Sequence, residues 1–114
     1  MLEYKGKKYT CHLDLGMEIL KGKWKSLILY HLTEEPVRFL ELQRRVEGIS
    51  QKVLNEQLKA LESEGLVNRK IYPEVPPRVE YFIAKKGADL MPALRIITDW
   101  AQKYMAEEIT YYED

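Results

Sequence analysis

Two amide side chains and one cation stand together near the start of one amphipathic segment: Gln51, Lys52 and Asn55. In the major groove, Asn and Gln can form two hydrogen bonds with adenine, and Lys can donate to guanine. All three lie opposite an apolar stripe whose spacing predicts an α-helix. The stripe consists of Leu54, Leu58 and Leu61. Because an ordinary solvated helix face shows the same pattern, this segment alone leaves both interpretations open.

The predicted helix over residues 50–65 has a recognisable start and end. Ser50 is a good N-cap, because its hydroxyl can accept a bond from the free amides of the first turn. Gly65 stands where a left-handed C-cap is usual. Ser50 could instead help to bind a phosphate together with those amides. Lys59 is a candidate for a contact with the phosphate backbone. Glu56 would repel phosphate and is expected to face away from it or to read cytosine.

A shorter helix is predicted just before this one. Residues 37–39 could form a short strand, and residues 38–46 a helix whose apolar side chains face inward. Residues 47–49, which include a glycine, then connect it to the segment that begins at Ser50. Two helices joined by a short turn of this kind form a helix-turn-helix pattern. Arg38, at the start of the first helix, is a candidate for a phosphate contact.

Two strands separated by a proline-rich loop follow. Residues 66–72 and 78–83 have strand-like composition, with the clearer alternation in the second. The prolines between them, Pro73, Pro76 and Pro77, exclude a two-residue turn and predict a stiff, extended loop. Such a loop would form a wing beside the helix-turn-helix, with Arg78 as the candidate for a minor-groove or phosphate contact. The alternative for Arg78 is an ion pair with Glu74 or Glu80.

The remaining segments are predicted to be mainly helical. The first ten residues are polar and expected to be extended or mobile, and helices are predicted at 13–20 and 23–32. A long helix is predicted from residue 85 to residue 109; Pro92 means that it either starts late or kinks there, and the kink is favoured. Its apolar stripe exceeds what a monomer of this size would cover, which points to a dimer interface. The fold class is therefore mainly α with a small β-hairpin wing (α+β), a winged helix-turn-helix.

Cys11 is the single cysteine of the chain. It stands just before a predicted helix, where the helix dipole lowers the pKa of a thiol, and Lys7, Lys8 and His12 are close in sequence. A thiolate here could oxidise, or form a disulfide with a second subunit or a small thiol. The alternative is a small buried hydrophobic residue, as most free cysteines are.

Length and composition limit the classes of protein and of site that are possible. The 114 residues carry 18 basic and 18 acidic side chains, so the net charge is zero and any basic surface must be local. A chain of this length is expected to form one domain, 1–114. It is expected in the cytoplasm, since neither a membrane span nor a signal peptide is visible. Too few Cys and His residues are present for a zinc site, no cofactor is implied, and no catalytic motif indicates an enzyme.

Several sequence blocks together resemble the HxlR family of bacterial transcriptional regulators. They are Cys11, residues 15–20, Gly22-Lys23-Trp24, residues 27–29, Arg38-Phe39, Glu41-Leu42, residues 48–50, Leu54, residues 57–58, Leu61, residues 64–67, Arg69, residues 75–81, Gly87, Leu90 and Trp100. One departure is Ile83-Ala84, where the family commonly has Leu-Thr before the last helix. Ala84 cannot cap that helix as Thr would.

The resemblance implies a homodimer, paired through its first and last helices, that binds a two-fold symmetric operator on double-stranded DNA and usually represses. It favours Gln51, Lys52 and Asn55 as groove contacts. Some HxlR-family members sense oxidants or electrophiles through a cysteine at the place of Cys11, which makes Cys11 the redox-sensing candidate. The rival interpretation is a winged-helix module that binds a protein partner. The eight tyrosines could frame a pocket for a small-molecule effector, and the identity of any effector is unknown.

Overall fold

The computed structural model describes residues 1–113 and contains the predicted helix-turn-helix and wing. Its helices are α1 (His12–Ile19), α2 (Trp24–His31), α3 (Phe39–Arg45), α4 (Gln51–Ser63), α5 (Lys85–Ala88) and α6 (Met91–Met105), followed by a 3₁₀ turn at Ala106–Glu108. Its strands are β1 (Leu2–Tyr4), β2 (Lys7–Tyr9), β3 (Val37–Arg38), β4 (Val67–Tyr72) and β5 (Arg78–Ile83). The mainly α fold class is confirmed.

The strands form two antiparallel sheets. In the larger one β5 lies between β3 and β4, with Val37 opposite Tyr81 and Tyr72 opposite Arg78. The short strand before α3 is thus confirmed, and it ties the helix-turn-helix to the wing. The smaller sheet is the hairpin β1–β2, in which Leu2 pairs with Tyr9. The sequence indicated an extended N-terminus here but not this pairing.

One apolar core holds the helix-turn-helix together. Leu54, Leu58 and Leu61 of α4 are almost completely buried, as their stripe predicted. They pack with buried residues of α2, α3, the larger sheet, the adjoining loops and the start of α6, which are Ile28, Leu29, Leu32, Val37, Leu42, Val46, Ile49, Leu66, Val67, Tyr81 and Met91. Because one face of α4 is committed to this core, its opposite face must point to solvent.

The kink predicted at Pro92 is wrong. The chain forms the four-residue helix α5, and α6 then begins at Met91, so that Pro92 lies in its first turn. Proline is tolerated there because the first amides of a helix have no partner inside it, whereas farther along its ring would clash with a carbonyl. The cap of α5, Ala84, makes no side-chain cap bond, as its methyl group requires.

Gly87 marks a very close approach between α5 and the start of β4. A Cβ atom at this position would lie 2.4 Å from the backbone oxygen of Leu66 and 3.0 Å from Cγ1 of Ile83. The same Leu66 oxygen accepts a 2.9 Å hydrogen bond from the Ala84 amide. This contact sets where α5 lies on the core and hence where α6 starts.

Candidate nucleic-acid interface

The N-terminus of α4 is capped as predicted. Ser50 has extended backbone angles, and its Oγ accepts a 3.1 Å hydrogen bond from the Val53 amide. At the other end Gly65 has a φ of +76°, the left-handed conformation expected of a C-cap glycine. The cap role of Ser50 is confirmed, and its role in phosphate binding stays a prediction.

Gln51, Lys52 and Asn55 are exposed in the first turn and a half of α4. Together with Phe39 of α3 they line a shallow groove at the junction of the two helices. Their side chains make no hydrogen bond or ion pair with any other residue in 1–113. Their amide and ammonium groups are therefore available to an external partner.

Lys59 continues this face toward the end of α4, and Arg38 flanks it at the start of α3. Both side chains are exposed. At 100° per residue, Lys59 lies within about 40° of Asn55 around the helix axis. Glu56 is exposed as well and lies on the same face, about 40° from Lys52, so the expectation that it faces away is not met. The structure therefore brings the predicted α3 and α4 residues to one side of the molecule.

In the wing, Arg78 is held by two neighbours. Its guanidinium carbon lies 3.8 Å from the centroid of the Tyr72 ring, and its Nη2 lies 3.6 Å from Oε1 of Glu74. The alternative predicted for Arg78, an ion pair, is therefore present, with Glu74 rather than Glu80. The side chain of Arg78 is 29% exposed and that of Glu74 52%. Tyr72 was not identified from the sequence, although its position directly opposite Arg78 in the hairpin could have indicated it.

Cys11 is exposed at the N-cap of α1. The pKa of its thiol is lowered, first by the backbone amide of Asp14, then by the Thr10 hydroxyl, whose Oγ1 lies 3.8 Å from Sγ, and by the amide of Leu13. The alternative interpretation, a buried Cys11, is thus wrong for the isolated chain. The neighbouring cations do not cause the shift, and Lys7 is instead paired with Glu18 at 2.9 Å.

An apolar surface lies on the opposite side of α6 from the core. Ile97 is 56% exposed and Trp100 54%, and the surface also includes Ile96 and Tyr104. Leu13 and Met17 of α1 are exposed in the same way. Monomeric proteins rarely leave such an apolar helix face in water. The first and last long helices therefore both carry side chains that need a partner.

The described part of the chain, 1–113, holds no group of three or more His, Cys, Asp or Glu residues that could bind a metal ion. None of its helices is long and apolar enough to cross a bilayer.

This fold and this surface define a winged helix-turn-helix protein. The family model described as HxlR-like helix-turn-helix matches residues 19–109. An uncharacterised HTH-type transcriptional regulator of Halalkalibacterium halodurans is 46% identical over 107 residues, which cover 90% of this chain and 95% of that protein.

Solved structures agree with this classification. A transcriptional regulator of the MarR family from Porphyromonas gingivalis superposes with a TM-score of 0.80 at 37% identity, over 89% of this chain and 99% of that one. The redox regulator HypR in its oxidised form superposes with a TM-score of 0.77 at 34% identity, over 82% and 96%. The chain belongs to the HxlR-like helix-turn-helix family of transcriptional regulators. Cys11 lies outside the matched residues.

Proposed function

We propose that this regulator binds double-stranded DNA in the cytoplasm as a homodimer, on an inverted-repeat operator, and that it represses transcription. The observation that carries the proposal is the exposed first half of α4, with Gln51, Lys52 and Asn55 unpaired. Amide and cationic side chains at the start of a helix are what major-groove recognition needs. Because the leucine face of α4 is buried, the helix holds Gln51, Lys52 and Asn55 at a fixed distance from the core.

The residues around this face fit contacts with the DNA backbone. Arg38 and Lys59 are exposed cations on either side of the groove-facing residues, and the first amides of α4, beside Ser50, can bind a phosphate oxygen. Arg78 can reach the duplex from the wing once it leaves Glu74. Such contacts position a protein on DNA, whereas the bases are distinguished by groove contacts.

A homodimer explains the apolar side chains of α1 and α6. Two-fold pairing would bury the same surface of both subunits and place two α4 helices side by side. Dimers of this kind bind half-sites about 34–36 Å apart, one helical turn of DNA. Selection of bound duplexes from a random pool is therefore expected to recover an inverted repeat with that spacing. A pool without any enrichment would favour the rival, a module that binds a protein partner.

Asn55→Ala and Lys59→Ala are expected to weaken DNA binding in different ways. Asn55→Ala should cost about 1–3 kcal/mol at one base position and relax the preference there. Lys59→Ala should weaken binding to all sequences alike and reduce the slope of log affinity against log salt by about 1. Fluorescence anisotropy on the selected duplex and its single-base variants measures both. Equal effects of Asn55→Ala on every base variant would contradict the groove assignment.

We also propose that Cys11 makes DNA binding sensitive to oxidants or electrophiles. Its thiol is exposed and its pKa lies below the usual 9.0, so more reactive thiolate is present at neutral pH. The similarity to a redox regulator is in keeping with this role. Since the chain has one cysteine, a disulfide must join two subunits or one subunit and a small thiol.

Diamide is expected to change the operator affinity of the wild-type protein and to leave Cys11→Ser unchanged. Two thiols lose two protons and two electrons to diamide, and the new disulfide shifts the relative position of the two α1 helices. Anisotropy titrations before and after diamide, and again after dithiothreitol, measure the change and its reversal. Unchanged affinity of the oxidised wild type would show that Cys11 has no regulatory role.

A further inference from the structure

One aromatic ring of the wing contacts two cations. Arg78 stands directly opposite Tyr72 in the β4–β5 register, and its guanidinium carbon lies 3.8 Å from the ring centroid. Lys70, two residues before Tyr72 and therefore on the same face of β4, places its Nζ 4.8 Å from the same centroid. Both distances lie within the range of a cation–π contact.

This arrangement limits which atoms of Arg78 are available. Its Nε is buried and has no hydrogen-bond partner among residues 1–113, so the terminal nitrogens are the ones that can meet a ligand. Of these, Nη2 lies 3.6 Å from Oε1 of Glu74. That distance exceeds the roughly 2.7–2.9 Å of a good charge-assisted hydrogen bond. Because the Glu74 side chain is half exposed, the pair is a weak one that an external anion can replace.

We propose that Tyr72 is a positioning residue of the DNA interface, and that Glu74 occupies in the free protein the place that a DNA phosphate oxygen takes in the complex. This inference rests on the proposed function. By holding Arg78 and Lys70 against its ring, Tyr72 reduces the freedom that both side chains lose on binding. Glu74 acts in the opposite direction, because its carboxylate repels phosphates and competes for Arg78.

The role of Tyr72 is tested with Tyr72→Leu, which removes the ring, and Tyr72→Phe, which keeps it. On the selected duplex, Tyr72→Leu is expected to weaken binding about fivefold and to reduce the salt slope by about 1, as Arg78→Ala should. Tyr72→Phe should resemble the wild type. In a background with both Lys70→Ala and Arg78→Ala, adding Tyr72→Leu should change affinity less than about twofold, because the ring acts through those two cations.

The role of Glu74 is tested with Glu74→Gln, a neutral side chain of the same shape. It is expected to tighten binding about threefold and to steepen the salt slope, because Arg78 then pairs with phosphate without competition. Glu107→Gln is the matched control, since it removes the same charge from an exposed position in the C-terminal turn. It should leave the slope unchanged.

The outcomes separate this inference from the proposed function. A wild-type protein that binds no duplex with salt-dependent affinity would overturn both. If the wild type binds and Tyr72→Leu lowers the affinity while the slope stays constant, the ring has only a structural role in the wing. The positioning inference then fails alone. If the Glu74→Gln variant binds the duplex no more tightly than the Glu107→Gln variant, Glu74 does not compete with phosphate.

Discussion

Replacing Ile97 with glutamate is expected to convert the dimer into monomers and to lower operator affinity at least about a hundredfold. A charge in an apolar interface loses its hydration without gaining a partner, and two-fold symmetry places it there twice. Once the subunits separate, each α4 binds its half-site without the high effective concentration that a linked second half-site provides. Sedimentation velocity distinguishes the monomer of 13.5 kDa from the dimer. Fluorescence anisotropy on the inverted repeat measures the operator affinity.

Gln102→Glu is the matched control for this substitution. It introduces the same charge into α6, but position 102 lies about 140° around the helix from Ile97 and is exposed on the other side. It should remain dimeric and bind the operator as the wild type does. Circular dichroism of Ile97→Glu should show retained helix, because Ile97 is not part of the core. An Ile97→Glu protein that sediments as a dimer would rule out this surface of α6 as the subunit interface.

Replacing Gly87 with alanine is expected to lower the free energy of unfolding. Overpacking of this kind costs roughly 1–3 kcal/mol, and we expect a value near the upper end. The new Cβ would meet the Leu66 backbone oxygen at 2.4 Å, and a backbone atom cannot rotate away as a side chain can. Helix α5 would have to shift, which would also move the start of α6. Thermal unfolding at one fixed protein concentration should show a Tm lower by roughly 10 °C.

Ala88→Gly provides the comparison for Gly87→Ala, because it changes the next residue of the same short helix. Ala88 is exposed, so the substitution loses only helix propensity, about 1 kcal/mol. Gly87→Ala should therefore unfold at a lower temperature than Ala88→Gly. If the two variants unfold at the same temperature or in the reverse order, the close approach at Gly87 does not limit stability.

Patterns that depend on neighbours within one element were sufficient to predict most of the helix-turn-helix. The Ser50 cap, the leucine stripe of α4 and the left-handed Gly65 are all present as predicted, because each depends on residues within about four positions. The resemblance to the HxlR family correctly indicated the class of regulator. The groove contacts of Gln51, Lys52 and Asn55 stay predictions, although the structure leaves these side chains unpaired.

The errors occurred where local patterns allowed two outcomes. Pro92 is compatible with a kink inside one helix or with the first turn of a new helix, and the packing of Gly87 against Leu66 places the break before Met91. The extended N-terminus was predicted without its pairing. That hairpin is held in place by a distant contact, a 2.8 Å hydrogen bond from the Tyr4 hydroxyl to Oε2 of Glu64.

The two faces of α4, the position of the wing and the lone thiol before a helix could all be predicted from residue order. These features follow from helical periodicity, from turn-forming residues and from residue counts, all of which are local. Three features became visible only once the chain was folded: the stacking of Arg78 on Tyr72 and its pairing with Glu74, the amides and hydroxyl that lower the Cys11 pKa, and the backbone that a side chain at Gly87 would meet. These depend on distances set by packing, which residue order alone does not specify.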